Sequence, residues 1–250
     1  MSRPRLSIVV PVKDEQDNIV PLVEACREAL GDLYAQSELI FVDDGSTDES
    51  LARMQELAAA DPVVRWLQFE ANRGQSAALD AGFRAARGTY VAMIDADLQN
   101  DPADLPKMVE LLDAGECDCV CGIRQKRQDS IVRKISSRIG NNTRNWLTHE
   151  SIKDVGCSIR VFRSEYIDRL AMFKGMHRFL PTLLRLQGAR ITEIPVRHHP
   201  RTRGVTKYGI GNRMFRGLRD IFAVRWMQSR YIDYTIEAQS PVGDDQPEQA

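Results

Sequence analysis

Five short apolar runs alternate with amphipathic stretches in the first half of this chain, and this alternation restricts the folds available to it. Each run is rich in Val, Ile and Leu and more continuous than a strand with one solvated face. Strands are expected at 6–12, 39–42, 63–69, 90–94 and 117–122, with helices at 19–30, 48–60, 75–86 and 105–112. The pattern predicts an α/β fold, a mostly parallel sheet with helices on both faces.

Composition places the chain among ordinary globular proteins. With 250 residues, 43% of them hydrophobic, it is long enough for one large domain, which we favour over two small ones. A formal charge of −1 argues against nucleic acid as a partner. No apolar run approaches the roughly 18–20 residues that span a bilayer, and no apolar signal segment opens the chain. We therefore expect a cytoplasmic protein that touches a membrane at most peripherally.

The five cysteines are expected to be reduced core residues. Cys117, Cys119 and Cys121 alternate along a predicted strand, where same-face residues lie roughly 6.5–7 Å apart. That spacing fits neither a disulfide nor a tetrahedral metal cage. Cys26 and Cys157 are interpreted in the same way.

The fourth strand ends in two aspartates one residue apart, Asp95 and Asp97, with Gln99 close behind. Strand alternation places both carboxylates on one side. They suit a hard cation, Mg²⁺ or Mn²⁺, whose remaining ligands are substrate phosphates. A diphosphate is the ligand this predicts, and the competing interpretation is an acidic surface turn ending at Pro102.

Two other strands end in polar motifs, and ligands in such sheets bind beyond the carboxyl ends of strands. The segment from Pro11 to Glu15 follows the first strand, and Asp43-Asp44-Gly-Ser-Thr-Asp48 follows the second. A carboxylate there is placed to accept hydrogen bonds from a ribose or a base. The alternative is a turn with Ser46 or Thr47 as N-cap of the next helix.

Basic and amphipathic segments follow the fifth strand. Arginines and lysines cluster at 124–138 and 201–207, and a helix is expected at about 212–231. One face of this helix carries apolar side chains: Met214, Phe215, Leu218, Ile221, Phe222 and Trp226. Such a face packs on a core or lies on a membrane surface, and both interpretations stay open.

These motifs, in this order, resemble the family-two glycosyltransferases with the GT-A fold. The likeness extends over roughly residues 5–230 and adds Asn72-Arg-Gly74, Gly122-x-Arg124 and Asp154-Val-Gly-Cys. Later segments are similar to the branch of dolichol-phosphate mannose synthases and bacterial polyprenyl-phosphate glycosyltransferases. The segments in question are Arg133-Lys134 with Ser137, Met176-His177-Arg178-Phe179 and Arg201-x-x-Gly204-x-Thr206-Lys207-Tyr208.

The resemblance implies roles for individual residues. The nucleotide-sugar pocket is implied at Pro11, Lys13, Glu15, Val42, Asp44, Asp95, Ala96, Asp97 and Arg124. The metal is implied at Asp95, Asp97 and Gln99, and the acceptor phosphate at Arg133, Ser137, Arg201 and Lys207. Catalysis is implied at Asp97, Arg124 and Asp154, where Asp154 is either a base or a structural, acceptor-orienting residue. For His177 we favour packing or hydrogen bonding over a place in the acceptor pocket.

The chain departs from the family pattern in three places. Lys13-Asp14 stands where Tyr-Asn is usual, Thr206 replaces Ser, and no membrane-spanning segments follow. We expect a GT-A domain at 1–206, an amphipathic interfacial segment at 207–236 and, from its polar composition, a disordered tail at 237–250.

The function implied is metal-dependent, inverting transfer of a mannose- or glucose-type hexose from a GDP- or UDP-sugar to a polyprenyl phosphate. It would take place on the cytoplasmic face of the membrane, in cell envelope glycan synthesis, with a monomer and a homo-oligomer both left open. The alternatives are a transferase with a saccharide acceptor and an inactive subunit that binds lipid phosphate. A Rossmann-type oxidoreductase is disfavoured because no Gly-x-Gly-x-x-Gly turn follows the first strand.

Overall fold

A computed structural model describes residues 3–125, 142, 144–148, 150–200 and 211–232, with backbone alone for 211–218. The strands are β1 Leu6–Val12, β2 Ser37–Asp43, β3 Val64–Gln68, β4 Tyr90–Met93, β5 Cys119–Arg124, β6 Arg160–Arg163 and β7 Ile191–Val196. The helices are α1 Gln16–Leu30, α2 Ser50–Ala60, α3 Gln75–Ala85, α4 Leu105–Asp113, α5 Leu180–Leu186 and α6 Gly211–Arg230. Residues 144–148 are also helical, and a short 3₁₀ turn spans Met176–Phe179.

The strands form one sheet in the order β3-β2-β1-β4-β6-β5-β7. Only β6 of these strands runs against its neighbours, pairing antiparallel with β4 and with β5. The predicted mixed, mostly parallel α/β sheet is therefore confirmed. Because β6 is reversed, its first residue lies at the edge where β4 and β5 end.

Helices cover both faces of the sheet, as the continuous apolar strands predict. On β1, Ile8 and Val10 face a core shared with α1, α2 and α4, whereas Val9 faces a second core. The second core includes side chains of α3, α5 and α6. The central strands β1, β2 and β4 thus bury both of their faces, as strands between two helical layers do, whereas the edge strands β3 and β7 are only partly buried.

All five cysteines are free and buried. The Sγ atoms of Cys119 and Cys121 lie 3.8 Å apart within the second core. Burial raises the pKa of the Cys26 and Cys157 thiols to about 12. The prediction of reduced, small core residues is confirmed.

Helix α6 packs on the second core, but through a narrower face than the sequence predicts. Ile221 and Val224 are buried, while Phe222 and Trp226 are 67% and 65% exposed. The predicted apolar face is therefore divided: Ile221 packs on the core, whereas Phe222 and Trp226 are exposed. The side chains of Met214, Phe215 and Leu218 lie outside the described residues. A residue one position past Ile221 is rotated by about 100° around the helix, away from the sheet. No helix in the described ranges is both long and apolar enough to span a bilayer.

Candidate active site

The segment after β1 is bound to the segment after β2. Lys13 Nζ donates to the carbonyl of Gly45 at 2.7 Å and pairs with Asp14 at 3.2 Å. Asp14 has a positive φ of 47°, and its Oδ1 accepts the Thr47 N–H at 2.8 Å. Lys13, at a position where the family usually has Tyr, therefore helps to hold this wall of the site together.

Glu15 and Asp43 are likewise engaged within these two segments. Glu15 accepts from the side-chain amide of Asn18 at 2.6 Å, and its own N–H donates to Ser50 Oγ at 2.9 Å. Asp43 Oδ1 accepts the Ser46 N–H at 3.0 Å, closing the turn after β2. The turn that the sequence offered as an alternative is therefore present, but the N-cap expected at Ser46 or Thr47 is wrong, because α2 begins at Ser50 and has Glu49 at its N-cap.

Asp44 is buried, and its carboxylate organises a third segment. It accepts the N–H groups of Arg73 at 2.6 Å and Gly74 at 2.9 and 3.0 Å, and the amide of Asn72 at 3.0 Å. Gly45 has a φ of +68°, and a Cβ there would lie 2.8 Å from the Asn72 nitrogen. The sequence did not reveal this pairing of Asp44 with the segment after β3, because the two are nearly thirty residues apart.

Three further residues expected in the pocket lie at or just beyond the ends of β1, β2 and β4. Pro11 pairs in register with Val42 across β1 and β2. Val42 is fully buried in the second core, and Ala96 is 3% exposed in the first. Their side chains support the site from within the protein.

Asp95 and Asp97 follow β4 at the same sheet edge. Gln75 Nε2, at the start of α3, donates to Asp95 Oδ1 at 2.8 Å. Burial, and then the charge of Asp97, raise the pKa of Asp95 to about 6, against the lowering effect of a hydrogen bond from Ser158. Leu98, at a φ of 58°, turns the chain so that Asp97 Oδ1 accepts the Gln99 N–H at 3.2 Å.

This pair of carboxylates has the character of a cation site. Two acidic groups that desolvate and repel each other gain from a neutralising ion. No cluster of three or more His, Cys, Asp or Glu side chains suited to a metal occurs among the described residues. Gln99 follows two residues after Asp97, and its Nε2 lies 3.5 Å from the His199 carbonyl. Substrate oxygens would have to complete the ligand shell of a cation held at Asp95 and Asp97.

Arg124 and Asp154 form a close ion pair. Nε and Nη2 of Arg124 each lie 2.8 Å from an oxygen of Asp154, a bidentate arrangement, and the Arg124 N–H donates to Asp154 Oδ2 at 3.2 Å. The pair is largely buried, with side-chain exposures of 17% and 8%. A Cβ at Gly156 would lie 2.6 Å from Arg124 Nη2, so this position favours glycine. The sequence named both residues but not their contact.

Sequence reasoning missed Arg160, the first residue of β6, which is 2% exposed. Its guanidinium donates to the carbonyls of Val155 at 3.0 Å and His177 at 2.8 Å. It thereby connects the segment of Asp154 to the turn of His177. The available signal was an arginine inside the apolar run Ile159–Phe162.

The expected hydrogen-bonding role of His177 is present: its Nδ1 lies 2.7 Å from Ser76 Oγ. The four predicted acceptor-phosphate residues, Arg133, Ser137, Arg201 and Lys207, lie outside the described residues.

A family model described as "Glycosyl transferase family 2" matches residues 7–171. The chain belongs to glycosyl transferase family 2. Within this family it is 39% identical over 223 residues to a dodecaprenyl-phosphate galacturonate synthase of Rhizobium johnstonii, covering 88% of this chain and 66% of that protein. It is also 39% identical over 207 residues to an undecaprenyl-phosphate 4-deoxy-4-formamido-L-arabinose transferase of Edwardsiella ictaluri, covering 82% and 63%. The chain thus spans somewhat under two thirds of the length of these relatives.

Solved structures of the same fold include glucosyl-3-phosphoglycerate synthase from Mycobacterium tuberculosis in complex with Mn²⁺, UDP and phosphoglyceric acid. That structure has a TM-score of 0.67 at 20% identity and covers 92% of this family-2 chain and 80% of its own. The same synthase in complex with phosphoglyceric acid gives a TM-score of 0.66, also at 20% identity, and covers 92% and 81%. These likenesses confirm the predicted GT-A fold.

Proposed function

We propose that this chain is a metal-dependent, inverting glycosyltransferase that moves a sugar from a nucleotide sugar to the phosphate of a polyprenyl lipid. The observation that carries the proposal is that the Asp95–Asp97 carboxylates, after β4, and the Arg124–Asp154 pair, at the end of β5, lie at the same edge of one sheet. Such an edge suits a leaving diphosphate on one side and an attacking phosphate on the other. The names of the family-2 relatives support the lipid acceptor.

On the donor side, Asp95, Asp97 and Gln99 would hold Mg²⁺ or Mn²⁺. The raised pKa of Asp95, caused by desolvation and then by the charge of Asp97, fits that role. When bound, the cation neutralises charge on the leaving diphosphate. The segments after β1, β2 and β3, joined through Lys13 and Asp44, form the wall proposed for the nucleoside.

On the acceptor side, the nucleophile needs little help to lose a proton. A phosphate monoester has a second pKa of about 6 and is largely a dianion at neutral pH. The two short hydrogen bonds from Arg124 therefore favour Asp154 as the residue that orients Arg124, rather than as a general base. Arg133, Ser137, Arg201 and Lys207 remain the proposed ligands of the acceptor phosphate.

The transferred sugar is proposed to be a hexose on UDP or GDP. Galacturonate appears in the name of one relative and a formamido-arabinose in that of another, so charged or modified sugars belong among the candidates. UDP-galacturonate, UDP-glucose and GDP-mannose make a first panel.

We also propose that the protein acts peripherally on the cytoplasmic membrane face. Phe222 and Trp226 stand exposed on α6, and Arg219, Arg225 and Arg230 of the same helix are exposed as well. Aromatic rings at headgroup level and arginines beside anionic lipid are the features of an interfacial helix.

Transfer of radiolabelled sugar from this panel into organic-extractable polyprenyl phosphate, with Mn²⁺ or with EDTA, tests the function. A lipid-linked product that EDTA abolishes is the expected result. Metal-dependent nucleotide-sugar binding without a lipid product would point to a saccharide acceptor. Absence of both would favour a lipid-binding subunit without activity.

A further inference from the structure

Gln75, the first residue of helix α3, contacts one of the two aspartates of the proposed cation site. Its side-chain nitrogen Nε2 donates to Asp95 Oδ1 at 2.8 Å. No motif of the sequence marks Gln75 as part of the site. An ionised carboxylate has about four lone-pair positions. The hydrogen bonds from Gln75 and Ser158 therefore leave positions on Asp95 at which a cation can bind.

The donor in this contact is a neutral amide. A lysine or arginine at the same distance from Asp95 would neutralise the carboxylate and repel a cation beside it. A glutamine amide orients the carboxylate but leaves its negative charge available. Carboxylates that bind metal ions are commonly held in this way by hydrogen bonds from neighbouring residues. The Gln75–Asp95 contact therefore suits a carboxylate that binds a divalent ion.

Gly74, the residue before Gln75, is hydrogen-bonded through both its N–H and its carbonyl. The N–H donates to the two carboxylate oxygens of Asp44 at 3.0 and 2.9 Å. The carbonyl accepts the N–H groups of Ala77 at 2.9 Å and Ala78 at 3.2 Å, in the first turn of α3. The φ of Gly74 is +91°, a conformation that glycine adopts at little cost. The backbone from which the Gln75 side chain extends is thereby fixed relative to Asp44.

Helix α3 lies close against the sheet that carries the nucleoside wall. A Cβ at Gly82 would overlap Val9 Cγ1 on β1 and lie 3.1 Å from Val42 Cγ2 on β2. Leu79 and Phe83 of the same helix are buried in the second core. A well-packed helix, rather than a loop, therefore positions Gln75, which favours a precise contact with Asp95.

We propose that Gln75 is a positioning residue for Asp95, and that the connection Asp44–Gly74–Gln75–Asp95 makes the nucleoside and the cation of the donor bind cooperatively. The inference rests on the proposed nucleotide-sugar site. A nucleoside bound against the wall around Asp44 orders the segment that ends in Gln75, and Gln75 holds Asp95 in place for the cation. Each ligand thus favours the arrangement that the other requires, and this coupling is reciprocal.

Calorimetric titration of the full chain separates the two parts of the donor. UMP or GMP in EDTA reports on the nucleoside wall alone, whereas UDP or GDP with Mn²⁺ reports on the wall and the cation together. Gln75→Met keeps the length of the side chain but cannot donate. We expect it to weaken diphosphate binding with Mn²⁺ about tenfold or more, the value of one hydrogen bond to a charged group. Monophosphate affinity in EDTA should change less than about twofold, because Gln75 does not form the wall itself.

Two further variants test whether the contact itself is responsible. Gln75→Asn retains the amide but shortens the side chain by a methylene, so we expect it to lose diphosphate affinity as Gln75→Met does. Gln228→Met is the matched control, because Gln228 is also half-buried and donates one side-chain hydrogen bond, to the Thr148 carbonyl at 2.7 Å. We expect the control to show a similar cost in urea unfolding and no change in either affinity.

Several results would overturn this proposal. One is an undiminished diphosphate affinity in Gln75→Met or Gln75→Asn, and another is an equal loss in Gln228→Met. A fall in monophosphate affinity in EDTA as large as the fall with Mn²⁺ would place Gln75 in the nucleoside wall instead. A wild-type protein whose diphosphate affinity does not rise with Mn²⁺ would remove the cation site and the coupling together. Absence of transfer to lipid by the wild type would remove the proposed acceptor, but the calorimetry would still report on Gln75 because its probes carry no sugar.

Discussion

At the residue scale, the folded protein disfavours the ionised form of the Asp95 carboxyl group. Its pKa is raised to about 6 because it is buried and faces Asp97. Such a group stays protonated in the folded protein at a pH where the unfolded chain has already ionised. Metal-free protein should therefore lose stability as the pH rises from about 4 to about 6.

Asp95→Asn removes this dependence. In EDTA, we expect the variant to gain on the order of 1–3 kcal/mol relative to wild type between about pH 4.5 and about pH 7.5. Urea unfolding at both pH values measures the change, and the exposed Asp168→Asn provides a matched control. Equal pH slopes for Asp95→Asn and the wild type would contradict the assigned environment.

Arg124 and Asp154 should act as a unit. Because they share a buried bidentate ion pair, Asp154→Asn and Arg124→Lys should each lower transfer strongly, while the double variant adds little. A coupling of about 2 kcal/mol or more in a double-mutant cycle on kcat/KM is expected. Independent, additive effects would show that Asp154 acts separately from Arg124, as a base would.

At the element scale, the turn after β2 depends on the close approach of the segment after β3. Gly45 and Gly115 have similar positive φ angles, +68° and +74°, but only at Gly45 would a Cβ meet backbone within 3 Å. Gly115→Ala therefore reports the cost of the left-handed conformation alone, about 1 kcal/mol. Gly45→Ala should cost about 1–3 kcal/mol more and also weaken nucleotide binding. Similar unfolding midpoints for the two variants would contradict the tight packing described here.

The elements themselves were predictable, whereas the contacts between them were less so. Periodicity located the five N-terminal strands and four helices to within about three residues, since buried strands and amphipathic helices leave local patterns. The reversed strand β6 has no such mark, because its direction is set by pairing with β4 and β5. Arg160 and the Ser76–His177 contact were missed for the same reason.

Single residues of the site were foreseen better than their partners. The resemblance named Asp44, Arg124 and Asp154, but a motif says nothing about which carboxylate meets which N–H across thirty residues. The orientation of α6 was also beyond the sequence, because Ile221 and Phe222 are equally apolar and only packing on the sheet decides which is buried.

At the scale of the whole molecule, α6 gives the surface an exposed aromatic pair. Phe222→Ser with Trp226→Ser should leave the free energy of unfolding within about 1 kcal/mol, because neither side chain packs in the core. The same pair of changes should reduce partition onto vesicles containing anionic lipid about tenfold or more. Trp66→Ser, at an exposed tryptophan on the far edge strand β3, is the matched control.

Vesicle sedimentation and tryptophan fluorescence measure this partition. If the control and the α6 variants lose binding equally, the membrane contact does not run through α6. A loss of stability in the α6 variants would instead mean that Phe222 and Trp226 support the fold.

Because β6 is reversed, the residues before it lie at the sheet edge of the candidate site, and the residues after it lie at the opposite edge. For the parallel strands, the residues that follow the strand lie at the site. For the antiparallel β6, the residues at the site are its first residue, Arg160, and those that precede it, from Asp154 onward. The residues after β6, Ser164–Tyr166, emerge at the opposite end of the sheet, beside Thr89 at the start of β4. For anyone wishing to graft a reporter peptide or an affinity handle into this scaffold, that corner is separated from the chemistry by the full length of a strand.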